Sequence, residues 1–491
     1  MSRKSKSLLL AIPVVLAAAI GAFFLFRGSS TAYLNALPND AKALARIDVK
    51  ALFDEAKLTK EETEQLFHRY SLPEDQSTDM GLDLSKPVYA FADKDGNFGF
   101  VAAVDDADDL TTWCDSLAAK GHASEVTRQR GYSWVVVKQQ WLMAFDDEKA
   151  LAMGPAVGSA QDQLRTVIVQ LMKQSGDASA LQTDLFQLLG TKDDPLVAAV
   201  KPELLPADAL GALGSLQLKS SRQGLYRLTL DPDDNELEMD IDIISNDEDV
   251  QAELKKLNAH LRPISGSLTD NAHAHNAIWM AANTQGKELL KLLRSNAAIR
   301  TTLLTLNLVV DADRMIQAID GDVALEVTAA NASPDGENVS FHFDFKDANL
   351  TAQVANTDFL SGASSWGNSI INVKALSSTE YVVNIDLTPI HLCVKNKLLY
   401  VGTESGPVTE GNAYLREQHS DIKGARLYAT LNLSSIPLEP ISILSKIYPD
   451  LNRLDVKMED AGNFTFTLKA SDNTNILRTL LTLTPNRSPQ H

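Results

Sequence analysis

Cysteine is nearly absent from this chain, with Cys114 and Cys393 the only two among 491 residues. That excludes a disulfide framework. Cys114 falls on the apolar stripe Leu110, Trp113, Cys114, Leu117, and Cys393 in the run Ile390–Val394. Both are expected as buried thiols that pack as small hydrophobes. Basic charge is also short. Lys and Arg number 45 against 64 Asp and Glu, a net charge of −19. Nucleic acid is excluded as a partner, because phosphates need clustered cations. A chain this acidic is also not expected to lie flat on anionic lipid. Sequence signatures of chemistry are missing too. There is no glycine-rich phosphate loop closed by lysine, no Gly-x-Ser-x-Gly elbow and no His-Glu-x-x-His helix. No catalytic residue, cofactor site or metal site is assigned, and a non-enzymatic role is favoured.

One long apolar run is present, Leu8 to Phe26, 19 residues without charge. As a helix it is long enough to cross a bilayer core. Arg3, Lys4 and Lys6 precede it and Arg27 follows, so the positive-inside rule leaves the N-terminus in the cytoplasm. The expectation is a single-pass inner-membrane anchor with the bulk of the chain in the periplasm. The alternative is a cleaved signal peptide and a secreted chain, with Ser30-Thr31-Ala32 as the cleavage site.

The rest reads as a repeated grammar. A strand candidate, Ala43–Val49, leads into a helical stretch containing the capping box Thr59-Lys60-Glu61-Glu62. Pro87–Ala92 and Phe98–Val104 flank Asp93-Lys94-Asp95-Gly96-Asn97, a hairpin signal. The acidic run Asp105–Asp109 then opens a helix, where negative charge suits the dipole. Tyr132–Val137 and Trp141–Phe145 form another hairpin, and Asp162–Lys173 another helix. The hairpin pattern recurs at Leu225–Leu230 with Leu237–Ile243, at Val323–Thr328 with Val339–Phe345, and at Leu454–Met458 with Phe464–Leu468. Asn349–Asn356 reads as a short helix. Further strands are read at Leu196–Val200, Ala277–Ala282 and Arg426–Leu431, and a hairpin over Tyr381–Gly402. The pattern repeats at an offset of roughly 230 residues, a tandem duplication. The fold class expected is α+β, an anchor followed by two similar domains, each an antiparallel sheet with helices packed on one face. Residues 1–30 form the cytoplasmic tip and anchor, 31–265 the first repeat, 270–486 the second, and 487–491 a tail. Asn258–Ala274 is read as the joint between the halves.

Tyr33-Leu34-Asn35-Ala36-Leu37-Pro38-Asn39-Asp40-Ala41, Gly81-Leu82-Asp83-Leu84-Ser85-Lys86-Pro87-Val88-Tyr89 and Ile319-Asp320-Gly321-Asp322-Val323-Ala324-Leu325 resemble the envelope family called domain of unknown function 4836, typical of Bacteroidota. The resemblance covers nearly the whole chain after the anchor. Many members look like lipoproteins, whereas this chain has no cysteine near its apolar run. The family implies no activity and so lends no site residues.

Three local patterns invite a chemical reading. His273-Ala274-His275 places two imidazoles on alternate positions, which on a strand share a face and can ligate zinc. No further ligand stands at useful spacing, so no metal is expected there. Asp231, Asp233 and Asn235 imitate the start of a calcium loop, but Glu236 stands where glycine is needed, and a hairpin turn is expected. Trp134, Trp141, Trp279 and Trp366 are read as core packing rather than the floor of a ligand groove. The role these features favour is a non-catalytic binding or scaffolding module with an envelope protein or lipid as partner. The alternatives are a carrier of an apolar molecule, or a hydrolase using His273 and His275 between the halves.

Overall fold

The computed structural model describes residues 31–62, 80–190, 194–204, 224–295, 297–335, 338–367, 371–385, 388–409, 411–436, 451–471 and 474–482. The run Leu8–Phe26 lies outside them. Among the described residues no helix is long and apolar enough to cross a membrane. The chain forms mixed α/β structure built on antiparallel sheet and divides into two compact units.

The first unit carries ten strands: β1 (Ala43–Ile47), β2 (Val88–Ala92), β3 (Phe98–Val104), β4 (Thr127–Gln129), β5 (Tyr132–Val137), β6 (Trp141–Phe145), β7 (Lys149–Gly154), β8 (Leu196–Val200), β9 (Leu225–Asp233) and β10 (Glu236–Ile244). Their antiparallel pairings run in the order β10-β9-β8-β1-β2-β3-β7-β6-β5-β4. A two-residue strand, Leu82–Asp83, adds to the end of β3. The helices are α1 (Val49–Ala56), α2 (Ala107–Ala119), α3 (Gly158–Lys173) and α4 (Asp184–Leu189).

The second unit repeats that order. Its strands are β11 (Ile278–Gln285), β12 (Ile319–Val327), β13 (Asn331–Asp335), β14 (Asn338–His342), β15 (Ala348–Val354), β16 (Val373–Ala375), β17 (Glu380–Ile385), β18 (Thr388–Lys395), β19 (Leu398–Gly402), β20 (Leu427–Asn432), β21 (Leu451–Asp460) and β22 (Asn463–Ala470). The order is β22-β21-β20-β11-β12-β15-β19-β18-β17-β16. Through those ten strands it matches the order of the first unit. Among the described residues β13 and β14 have no counterpart, nor do the two-residue strands Leu82–Asp83 of the first unit and Leu261–Arg262 of the second. Strands β13 and β14 pair with each other as a separate two-stranded sheet, an insertion between β12 and β15.

That insertion explains two misreadings. Val323–Thr328 does not pair with Val339–Phe345. It pairs with Ala348–Val354, the segment read as helix. Thr351 and Val354 suit a strand, and pairing on both sides overrides a weak helical pattern. Phe343, toward the end of Val339–Phe345, is 46% exposed. The one-face arrangement of helices also fails in the first unit. Every residue of Val88–Ala92 is buried. Val88 and Ala90 pack with α1 and α2, while Tyr89 and Phe91 pack with α3 and α4. A strand covered on both faces reads as a continuous apolar run rather than an alternating one. The alternation of Leu237, Met239, Ile241 and Ile243 is likewise weak evidence of depth, since only Ile243 is buried.

The units do not follow the sequence division expected near residues 265 to 270. Helix α5 (Glu248–His260) belongs to the second unit, and α11 (Ile476–Thr482) to the first. Leu477 and Leu481 pack there in one cluster with Leu52, Phe53 and Ala56 of α1. Arg478 pairs with Glu62 at 2.8 Å. Between these lie α6 (Gly286–Ser295), α7 (Ala297–Leu306), α8 (Ala312–Gln317), α9 (Ala413–Glu417) and α10 (His419–Ile422).

Local chemistry follows the sequence closely elsewhere. Thr59 and Glu62 form the capping box, with the Glu62 carboxylate accepting from Thr59 N at 2.9 Å. Asp93 closes the first hairpin by accepting from the N–H groups of Asp95 and Asn97, and Gly96 supplies the positive φ of +85°. Asp106 caps α2 by accepting from the N–H groups of Asp108 and Asp109. Asp106→Ala is expected to lower stability by about 1 kcal/mol, read in denaturant titration, because two helix-end donors lose their acceptor.

Candidate functional site

The two units can be compared position by position, because their registers match. One row across each sheet separates them. In the first unit the row is Met153, Gly99, Phe91, Leu44, Ala199, Arg227, Asp242. Its centre is apolar and buried, and a side chain at Gly99 would strike the Phe91 ring. Only its end is charged, where Arg227 pairs with Asp242. In the second unit the same row is Asn349, Glu326, Trp279, Thr430, Asp455, Thr467, with Gly402 beside Asn349. Asn349, Glu326, Thr430 and Asp455 are all buried at 5% exposure or less. Burying such groups is unfavourable unless each is hydrogen-bonded. The first copy shows that the fold does not need them.

The partners of Glu326 come from the strap Arg262–Asn276, which overlaps Asn258–Ala274, the stretch read as a joint. It lies wholly within the second unit. Glu326 Oε1 accepts from His273 N at 2.8 Å and Asn276 Nδ2 at 3.0 Å, and Oε2 meets His273 Nδ1 at 2.6 Å. Further along the strap, Ser265 N and Oγ donate to Asp322, which is fully buried. Asn412, the cap of α9, donates to the carbonyls of His273 and Ala274. The strap is thus pinned by two buried carboxylates and one amide.

The other ring nitrogen of His273, Nε2, faces Glu404 Oε1 at 3.7 Å. It lies on a recess of about 660 Å³ lined by Asn271, His273, Cys393, Lys395, Glu404 and Val408. That volume is in the range of small-ligand pockets, about 300–1,000 Å³. The hydrogen bond to Glu326 raises the His273 pKa above its ordinary value of 6.5, against the opposing effect of burial. In its protonated form His273 therefore presents an Nε2–H donor into the recess. Its pairing stabilises the fold most below pH 6.5 and is lost as pH rises through the elevated pKa. Denaturant stability of the wild type is expected to fall more steeply from pH 6 to pH 9 than that of His273→Asn.

The far end of the row is closed by Tyr414 of α9. Its hydroxyl donates to Asp455, and its ring meets the Arg453 guanidinium, 3.9 Å from the centroid, and the Lys469 ammonium, 5.7 Å away. Burial first, and Asp455 next, push the Tyr414 hydroxyl well above the usual phenol range. At the recess end, Tyr400 OH donates to Asn349 Oδ1 at 3.1 Å. Gly402 makes room for this pair, since a Cβ there would fall 2.2 Å from Asn349 Oδ1.

A family profile described as a domain of unknown function (DUF4836) matches residues 33–430. The chain belongs to that family. No curated protein matches the sequence. Among solved structures it is similar to crystal form III of TP0453, at 11% identity and a TM-score of 0.28, over 48% of this chain and 90% of that one. Crystal form I of the same protein gives 11% identity and 0.29, over 48% and 89%.

The residues singled out from sequence separate in the structure. His273 is half-buried and engaged, whereas His275 is exposed, so the two do not converge. Among the described residues no group of three or more His, Cys, Asp or Glu is placed to hold a metal. Asp231 and Asp233 belong to a strand that pairs through Asp233 with Glu236, a tight hairpin. Trp134 and Trp279 are buried, Trp279 against Tyr428. Both cysteines are free and buried. Burial pushes the Cys114 thiol up to about 12, and burial followed by Glu380 raises Cys393. Neither is a ready nucleophile. Glu326, Asn349, Thr430 and Asp455 went unread. The signal available was an acid inside the apolar run Val323–Thr328, opposite Phe91 once the repeats are superposed.

Proposed function

We propose that this family member is a membrane-anchored envelope binding module. In this reading the second unit takes a polar ligand at the His273 recess and the first unit serves as scaffold. The observation that carries it is the single row, apolar in one copy and buried-polar in the other. A duplicated fold that gains costly buried polar groups in only one copy is using them. In the protonated form of His273, the donor at Nε2 and the ammonium of Lys395 suit a ligand bearing carboxylate or carbonyl oxygens, which would take the place of Glu404. The anchor is Leu8–Phe26, with the units outside the cytoplasmic membrane, and the partner is another envelope component.

Native mass spectrometry of full-length protein extracted from its own membrane tests this. The expected result is a stoichiometric adduct or partner, lost in His273→Asn, which keeps a donor toward Glu326 but removes Nε2. An adduct retained by that variant, or none on the wild type, overturns the reading.

A second reading, a carrier of an apolar molecule, has one observation of its own. A groove of about 430 Å³ between α5 and α6 is lined by Leu257, Leu261, Leu289 and Leu292. Under that reading the adduct would be lipid-sized and indifferent to His273→Asn.

A further inference from the structure

The second unit bears an apolar surface that neither the recess nor the groove uses. On α7 and the turn after it, Ile299, Leu304 and Leu308 are 39%, 63% and 72% exposed. Leu303 and Val309 point inward and fix the orientation of that stretch. Around the outward leucines the exposed neighbours are Thr301, Thr302 and Thr305, and no charge occurs from Thr301 to Val310. Directly before it, α6 is strongly amphipathic and basic. From Gly286 to Val310 the chain places Lys287, Lys291, Arg294 and Arg300 against a single acid, Glu288, in a protein of net charge −19. Leu304 stands on α7 and Leu308 in the turn that follows it, four residues on, and both are exposed.

We propose that α6 and α7 rest on an anionic bilayer surface, with Leu304 and Leu308 inserted at the headgroup–acyl boundary. Exposed apolar residues beside Lys and Arg are the signature of an interfacial helix. A solvated surface does not call for large leucines at this exposure, and a contiguous apolar patch marks an interaction site. The occupant is a bilayer rather than a protein because the charge is complementary. This basic, acid-poor stretch lies where the apolar side chains emerge, and anionic headgroups attract such segments. The net charge of −19 averages over faces that this contact leaves in water. The inference rests on the anchored reading only for keeping a bilayer within reach.

The test uses full-length protein reconstituted into phosphatidylcholine vesicles with and without phosphatidylglycerol. Leu304→Cys and, separately, Leu308→Cys carry an environment-sensitive fluorophore, the native thiols being buried. Val157→Cys, at a 70% exposed position of the first unit, is the control. Expected are a blue shift and quenching by spin-labelled lipid at 304 and 308, weakened by salt or by omitting phosphatidylglycerol, and absent at 157. Water-like emission at both positions overturns the proposal. So does a blue shift that depends on protein concentration but not on lipid, which would assign the face to a second copy of the chain. Carbonate extraction of the same vesicles reports on Leu8–Phe26 separately. If the chain is stripped, the anchor reading fails, and the fluorophore still reports whether α7 binds vesicles.

Discussion

Phe91→Glu is expected to unfold the first unit, with a loss of at least about 4–5 kcal/mol. Phe91 is 3% exposed and occupies the register position that Glu326 holds in the second unit. At 326 the carboxylate receives two ring or backbone donors from His273 and one from Asn276. At 91 the neighbours on that face are Leu44, Val101 and Tyr89's cluster of apolar side chains. A buried carboxylate there has nothing to pair with, and desolvation dominates. Limited proteolysis reads the outcome, with first-unit sites opening. Retained protection of the first unit would mean that the row tolerates charge in either copy, and the functional reading of the second copy would lose its basis.

Glu326→Ala is expected to destabilise the second unit by about 3–5 kcal/mol, because it leaves His273 and Asn276 as buried donors without an acceptor. The effect should be local. Amide exchange should accelerate in β11, β12 and the strap Arg262–Asn276, while the first unit keeps its protection. The pH dependence assigned to His273 should vanish in the same variant, since Glu326 is the main cause of its raised pKa. A stability change below about 1 kcal/mol would show that the pair is already solvated and does not hold the strap.

How much of this was legible beforehand depended on whether the signal was local. Turn chemistry was fully local, and the hairpins at Asp93–Asn97 and Glu459–Asn463 formed as read. The same holds for Asp106 and for the Thr59–Glu62 box. Burial was legible where it was one-dimensional, as for Cys114 and Cys393. What failed was non-local. The strand Ala348–Val354 takes its identity from β12 and β19 on either side, neither adjacent in the chain. The two-sided burial of Val88–Ala92 needed α3, which starts at Gly158. Helix α11 buries Ile476, Leu477 and Leu481, but nothing in that spacing names the unit that buries it. For the site, His273 was found for a metal it does not hold with His275. Its actual partner, Glu326, lies 53 residues away and became conspicuous only against Phe91.

The polar row serves either a ligand or the fold alone. Replacing a buried ion pair by apolar side chains is often neutral or stabilising, so the row can be given the character of the first copy. The decisive measurement is native mass spectrometry of full-length His273→Leu/Glu326→Leu/Asn276→Ala, extracted beside the wild type, with thermal melting as the check on folding. The expected result is a melting temperature at or above that of wild type and loss of the bound component. A variant that melts normally and keeps its full adduct would contradict the account and return the polar row to a role in folding alone.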